Sequence, residues 1–105
     1  MKFIYQSIEG LALILPEVFE DNRGSFRRNF CINEFKENGI ELPVLQGNIS
    51  ENKSMFTLRG FHYQKHPSSE SKVLTPITGG IHNVVIDLRS ESPTFLKSVA
   101  LDILS

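Results

Sequence analysis

The sequence holds one cysteine, Cys31, so no disulfide can form within the chain. A lone thiol fits a reducing compartment, where chains do without disulfides. An excess of either charge is also missing: eleven basic side chains face twelve acidic ones, for a formal net charge of −1. Nothing here would neutralise a nucleic-acid backbone or an anionic bilayer, so neither nucleic acid nor membrane is expected as a partner. Long apolar runs are absent too. Leu11–Leu15 is apolar throughout but far short of the ~20 residues a membrane-spanning helix needs. Met1–Gly10 lacks the charged-then-apolar order of a secretory signal, and a cytoplasmic protein is expected. No linker, repeat or low-complexity tract interrupts the 105 residues, which predicts one domain, 1–105. No glycine-rich phosphate loop opens a helix, and Ser68-Ser69-Glu70-Ser71 lacks the flanking glycines of a nucleophile elbow.

What the sequence does contain is a succession of short β-rich runs separated by turn residues, the pattern of an all-β sandwich or barrel. Leu11–Leu15 is one run, stopped by Pro16. Asp21-Asn22-Arg23-Gly24 predicts a turn and Ser25–Phe30 the strand after it. Asn33–Asn38 predicts a single helical turn closed by Gly39. Val44–Ser50 and Met55–Gln64 are further strand candidates. Lys72–Thr78 and Ile81–Leu88, joined by Gly79-Gly80, predict a hairpin, with Pro76 forcing its strand to an edge or a bulge. Phe95–Leu104 predicts a last strand with Val99, Leu101 and Ile103 on one face. That makes about seven strands, against the eight or so of a closed jelly roll.

The densest polar cluster is Leu58-Arg59-Gly60-Phe61-His62-Tyr63-Gln64, followed by Lys72. Taken alone, a histidine on a strand is more often structural than catalytic. A metal site is not expected. His62 and His66 on a strand would stand ~13 Å apart at ~3.3 Å per residue, too far for one ion. Gln64 occupies the place where a metal-binding cupin would carry its second histidine. Arg23, Arg27, Arg28, Arg59 and Lys72 lie in separate strands and turns that a sandwich could gather at one cavity mouth, where cations suit phosphate oxygens. Solvated charge is an equal reading for Arg27 and Arg28.

Five segments in order resemble the dTDP-4-dehydrorhamnose 3,5-epimerase family. They are Phe19–Phe26, Gln46–Ser50, Leu58–Gln64, Lys72-Val-Leu, and Val85-Ile-Asp-Leu-Arg-Ser-Glu-Ser-Pro-Thr-Phe95. The resemblance implies a cupin-like double-stranded β-helix, a jelly-roll sandwich, of which this chain is the N-terminal part. It implies a homodimeric isomerase that inverts C3 and C5 of a dTDP-linked 4-keto-6-deoxy sugar without a cofactor, in deoxysugar and polysaccharide biosynthesis. His62 matches the family's base and Lys72 the lysine beside the keto oxygen. Arg59, Arg23, Phe26, Gln46 and Asn48, with Lys72, match substrate-binding positions, Arg23 reaching a partner subunit's site. Four positions depart from the family pattern: Arg28 where glutamate is usual, Gly47 and Asn83 where aspartate is common, and Glu70 for glutamine. The family's catalytic tyrosine, the histidine's acidic partner and a further binding histidine fall beyond Ser105. Tyr63, next to His62, should point to the opposite face of a strand. A nucleotide-sugar-binding module without turnover is the alternative expectation.

Overall fold

A computed structural model describes residues 1–41 and 43–105. Among the described residues six strands form three antiparallel hairpins. β1 (Lys2–Tyr5) pairs with β2 (Ala12–Leu15), β3 (Val18–Asp21) with β4 (Gly24–Arg27), and β5 (Gly80–Ile86) with β6 (Ser98–Leu104). One short helix, α1 (Ile32–Glu37), separates the second hairpin from the third. The class is all-β, as expected, and two turns fall where their residues placed them. Asn22 and Arg23 connect β3 to β4, with the Asp21 carboxylate accepting from the Arg23 amide at 2.8 Å. Gly39, at φ +74°, ends α1 in a Schellman arrangement. Its amide donates to the Lys36 carbonyl at 3.0 Å and the Ile40 amide to the Phe35 carbonyl at 2.9 Å.

Three expected strands are absent. Val44–Ser50, Met55–Gln64 and Lys72–Thr78 run outside any ladder, and β5 takes its partner from residues 98–104. The glycine pair therefore does not make a hairpin with the segment before it. Gly80 instead opens β5 close against the other strand, where a Cβ would stand 2.7 Å from Leu104 Cδ2. On β6, Val99, Leu101 and Ile103 are half-buried while their neighbours are exposed, the predicted alternation. β1, which no strand signal marked, pairs along its full length with β2, from Lys2 opposite Leu15 to Tyr5 opposite Ala12.

The best-buried side chain is Phe35 of α1, 1% exposed. It packs edge-on against Phe3 at 5.2 Å and against Phe30 at 4.7 Å between ring centroids, holding α1 on β1. Ionic contacts reinforce the same junction. Glu34 receives the N-terminal ammonium at 2.6 Å and the Arg28 guanidinium, and these two cations, the ammonium first, lower its pKa. Arg28 is thus turned toward α1.

The β5–β6 ladder continues past its formal end, the Asp87 amide donating to the Lys97 carbonyl at 3.0 Å and the Leu96 amide to the Asp87 carbonyl at 2.8 Å. The Asp87 side chain, in a residue 4% exposed, organises the whole connection. Its Oδ1 accepts from the Arg89 amide at 3.0 Å and from Arg89 Nε at 2.8 Å. Its Oδ2 accepts from Arg89 Nη2 at 2.8 Å, Ser92 Oγ at 2.6 Å and Thr94 Oγ1 at 2.7 Å. Arg89 Nη2 then reaches the Glu9 carbonyl at 3.0 Å, tying this turn to the β1–β2 connection. The Arg89 guanidinium first, then the Ser92 hydroxyl, hold the Asp87 carboxyl far below the usual carboxylate range.

Two outcomes follow. Phe35→Ala should cost about 3–5 kcal/mol, read as a lower urea midpoint, since a fully buried aromatic leaves a cavity. A depressed folded-state pKa makes Asp87 stabilising at all pH values above its unfolded pKa of about 3.9, with that contribution lost as pH falls below it. Asp87→Asn should therefore lower the melting temperature at neutral pH by about 10 °C. It should also flatten the acid limb of the stability profile below about pH 4. An unchanged acid limb would show that the carboxylate charge is not what holds the turn.

Candidate functional site

A cavity of about 900 Å³ lies between β2, the β5–β6 hairpin and the irregular segment from Arg59 to Pro76. Its walls are apolar where the strands face it: Leu13 and Ile14 from β2, Val85 from β5, Leu101 and Ile103 from β6. Its polar groups come from the irregular segment, from the end of β4 and the residue after it, and from β5: Arg59, His62, Tyr63, Gln64, Glu70, Lys72, Arg27, Arg28 and Asn83. An apolar enclosure with a few convergent polar groups is the general form of a small-molecule site.

Of the residues selected from the sequence, His62, Lys72 and Arg59 share this cavity. His62 is exposed to it on the segment that carries no ladder. Lys72 Nζ lies 2.9 Å from Glu70 Oε1, both side chains about half exposed. Arg59 is oriented by the loop before it, Nε donating to Asn52 Oδ1 at 2.8 Å and Nη2 to the Glu51 carbonyl at 3.2 Å. Those are neutral acceptors, so the Arg59 charge remains uncompensated by them and available to an anion.

Arg27 and Arg28 line the cavity as well, and the remaining selected residues lie elsewhere. Arg23 sits at the tip of the β3–β4 hairpin, bound to Asp21 with Nη2 to Oδ2 at 2.6 Å. This pairing raises the arginine's pKa and lowers the aspartate's. Phe26 is exposed on β4, opposite Phe19. Gln46 and Asn48 are exposed outside the cavity and bonded to each other, Nε2 to Oδ1 at 3.3 Å. His82 also lies away from the cavity lining, with Nδ1 2.6 Å from Asp102 Oδ1 across the β5–β6 pair. Both side chains of this pair are exposed.

Two features escaped the sequence reading. Tyr63 borders the same cavity as His62, because the opposite-face expectation assumed a strand and Arg59–Gln64 is not one. The Glu70–Lys72 pair was within reach, since residues two apart on any extended segment can approach on one side. Asn83, half-buried on β5, also lines the cavity.

A family model described as dTDP-4-dehydrorhamnose 3,5-epimerase matches residues 5–105. A protein of that name from Methanothermobacter thermautotrophicus is 38% identical over 97 residues, covering 90% of this chain and 50% of the relative. One from Shigella flexneri is 34% identical over 104 residues, covering 98% of this chain and 57% of the relative. Among solved structures, a dTDP-4-dehydrorhamnose 3,5-epimerase from Bacillus anthracis, with TDP and PPi bound, superposes with a TM-score of 0.94 at 30% identity. That superposition covers 98% of this chain and 59% of the neighbour. The enzyme of that name from Elizabethkingia anophelis gives a TM-score of 0.90 at 33% identity, over 99% of this chain and 57% of the neighbour. This chain spans about half the length of the curated relatives it matches. The structural likeness bears out the cupin-like all-β class expected from the sequence.

Proposed function

The chain belongs to the dTDP-4-dehydrorhamnose 3,5-epimerase family, and on that premise we propose that it serves the epimerisation of a dTDP-4-keto-6-deoxy sugar at C3 and C5. The observation that carries the proposal is the meeting of His62, Lys72 and Arg59 around one largely apolar cavity. The chemistry is local to the sugar. The C4 ketone acidifies the hydrogens on C3 and C5, so the step needs no cofactor. His62 takes one of these protons; the C–H electron pair moves into the enolate, whose negative charge settles on the C4 oxygen. Lys72 stabilises that oxygen in a site whose apolar walls strengthen the attraction. Solvent delivers a proton to the same carbon from the opposite face, completing the inversion, and His62 gives its proton up to solvent. Arg59 binds the phosphate-bearing part of the ligand, with Arg23, Phe26, Gln46 and Asn48 as further binding residues.

The proposal places residues 1–105 in one domain, in the cytoplasm and in a homodimer. No helix among the described residues is long and apolar enough to cross a membrane. Support for the dimer comes from surface that wants cover. Phe19 and Phe26 stand exposed side by side on a hairpin of which every strand residue is exposed. That hairpin also carries Arg23, a binding residue remote from the cavity of its own chain, so a second subunit would bring it to a site.

Incubation with a dTDP-4-keto-6-deoxy sugar in heavy water tests the chemistry. Deuterium should enter at C3 and C5. His62→Asn should slow that entry by about 10²–10⁴-fold while leaving dTDP binding, measured by calorimetry, nearly unchanged. Equal exchange in parent and His62→Asn would remove His62 as the base, and binding without any exchange would leave a binding module. Sedimentation at micromolar concentration should give twice the mass of one chain, and Phe26→Ser should shift it toward the monomer. A parent that sediments as a monomer would overturn the dimer.

A further inference from the structure

The two faces of the β5–β6 pair treat polar side chains differently. The register sets Ile81 opposite Ile103, Asn83 opposite Leu101 and Val85 opposite Val99, so these six share one face. Five of the six are apolar, and Asn83, Val85, Leu101 and Ile103 line the cavity. On the other face the polar residues answer each other, His82 Nδ1 lying 2.6 Å from Asp102 Oδ1. Asn83 has no such answer. Its cross-strand neighbour Leu101 and its flanking neighbours Ile81 and Val85 carry no polar side-chain atom. Every fully buried side-chain nitrogen and oxygen among the described residues has a hydrogen-bond partner. The half-buried Asn83 carboxamide, which none of the described residues bonds, is therefore open to the cavity.

Nothing local recommends asparagine at this position. It is depleted in strands, and an amide in an apolar wall costs free energy that a leucine of similar shape would not. The ladder runs unbroken through Asn83, so the strand does not need its side chain.

We propose that Asn83 is a specificity-determining residue of the cavity, whose carboxamide reads a ring hydroxyl of the ligand's sugar. The inference rests on the nucleotide-sugar reading above, in which His62 and Lys72 meet the sugar in this same cavity and Arg59 meets the phosphates. A neutral amide adds nothing to the capture of phosphate, which the cations serve. It offers an acceptor oxygen and two donor hydrogens in one plane. A hydroxyl, itself donor and acceptor, can use either side of it. A wall that is otherwise apolar supplies no substitute partner, so a ligand without the hydroxyl leaves the amide unpaired and is bound less well.

Calorimetry with dTDP and with dTDP-glucose, which has ring hydroxyls but no ketone to react, tests the inference on the parent and on Asn83→Leu. In the parent, dTDP-glucose should bind more tightly than dTDP. Asn83→Leu should weaken dTDP-glucose by about 3–10-fold, the range of one neutral hydrogen bond, and leave dTDP unchanged. Its melting temperature should equal or exceed the parent's, because an unpaired amide has left an apolar wall. A lower melting temperature would give the amide a part in the fold and overturn the inference. So would a variant that holds dTDP-glucose as well as the parent does, or one that loses dTDP and dTDP-glucose alike; in both cases a parent that binds dTDP keeps the nucleotide-sugar reading. A parent that binds neither probe removes that reading and the inference with it.

Discussion

The Asp87 carboxylate is the constraint on which the rest of the structure hangs. Five donors converge on its two oxygens, three from Arg89 and one each from Ser92 and Thr94. A carboxylate removed from water is tolerable only when its lone pairs are met in this way. The same contacts bend the chain back so that β6 returns along β5, and Arg89 carries the constraint across to the Glu9 carbonyl beside the first hairpin. The cavity lies between those two hairpins. One of the five family-like segments of the sequence, Val85–Phe95, therefore works as a joint between the walls, its Asp87, Arg89, Ser92 and Thr94 side chains spent on holding the turn.

Within that frame, most of the polar side of the cavity is supplied by chain that belongs to no sheet. Arg59, His62, Glu70 and Lys72 all come from the irregular segment, steered by short-range contacts such as Asn52 to Arg59 and Glu70 to Lys72. Walls from rigid hairpins and reactive groups from loops is a common division of labour in sites that must both hold a shape and adapt to a ligand. The electrostatics follow the same division: charge balanced outside the cavity at Glu34–Arg28 fixes architecture, and charge inside it, met only by neutral acceptors at Arg59, is available to a ligand.

The stretches that refused the strand assignment have a physical explanation. Val44–Ser50, Met55–Gln64 and Lys72–Thr78 carry β-branched, aromatic and long apolar residues, so their composition favours extended chain. A strand, unlike a helix, cannot satisfy its backbone alone, and composition does not name the partner. Leu45, Met55, Phe56 and Leu58 are left almost wholly exposed along them. β1 shows the converse: a weak local signal became a strand because Leu15 to Ala12 offered it a complete ladder.

What the sequence determined by itself was whatever depends on near neighbours. The Asp21–Gly24 turn, the Gly39 helix stop, the inward stripe of Val99, Leu101 and Ile103, and the choice of His62, Lys72 and Arg59 as candidates were legible there, because turn geometry, alternation and motif order are local properties. The pairing of β5 with residues 98–104, the cavity between hairpins and the placement of Tyr63 beside His62 were decided by the tertiary structure. So were the ion pair that turns Arg28 toward α1, the convergence of Arg89, Ser92 and Thr94 on Asp87, and the separation of Arg23, Phe26, Gln46 and Asn48 from the cavity. The reason is that hydrogen bonds and ion pairs answer to distances of a few ångströms in space. Spacing along the chain sets such distances within a turn or a strand and leaves them open between one hairpin and the next.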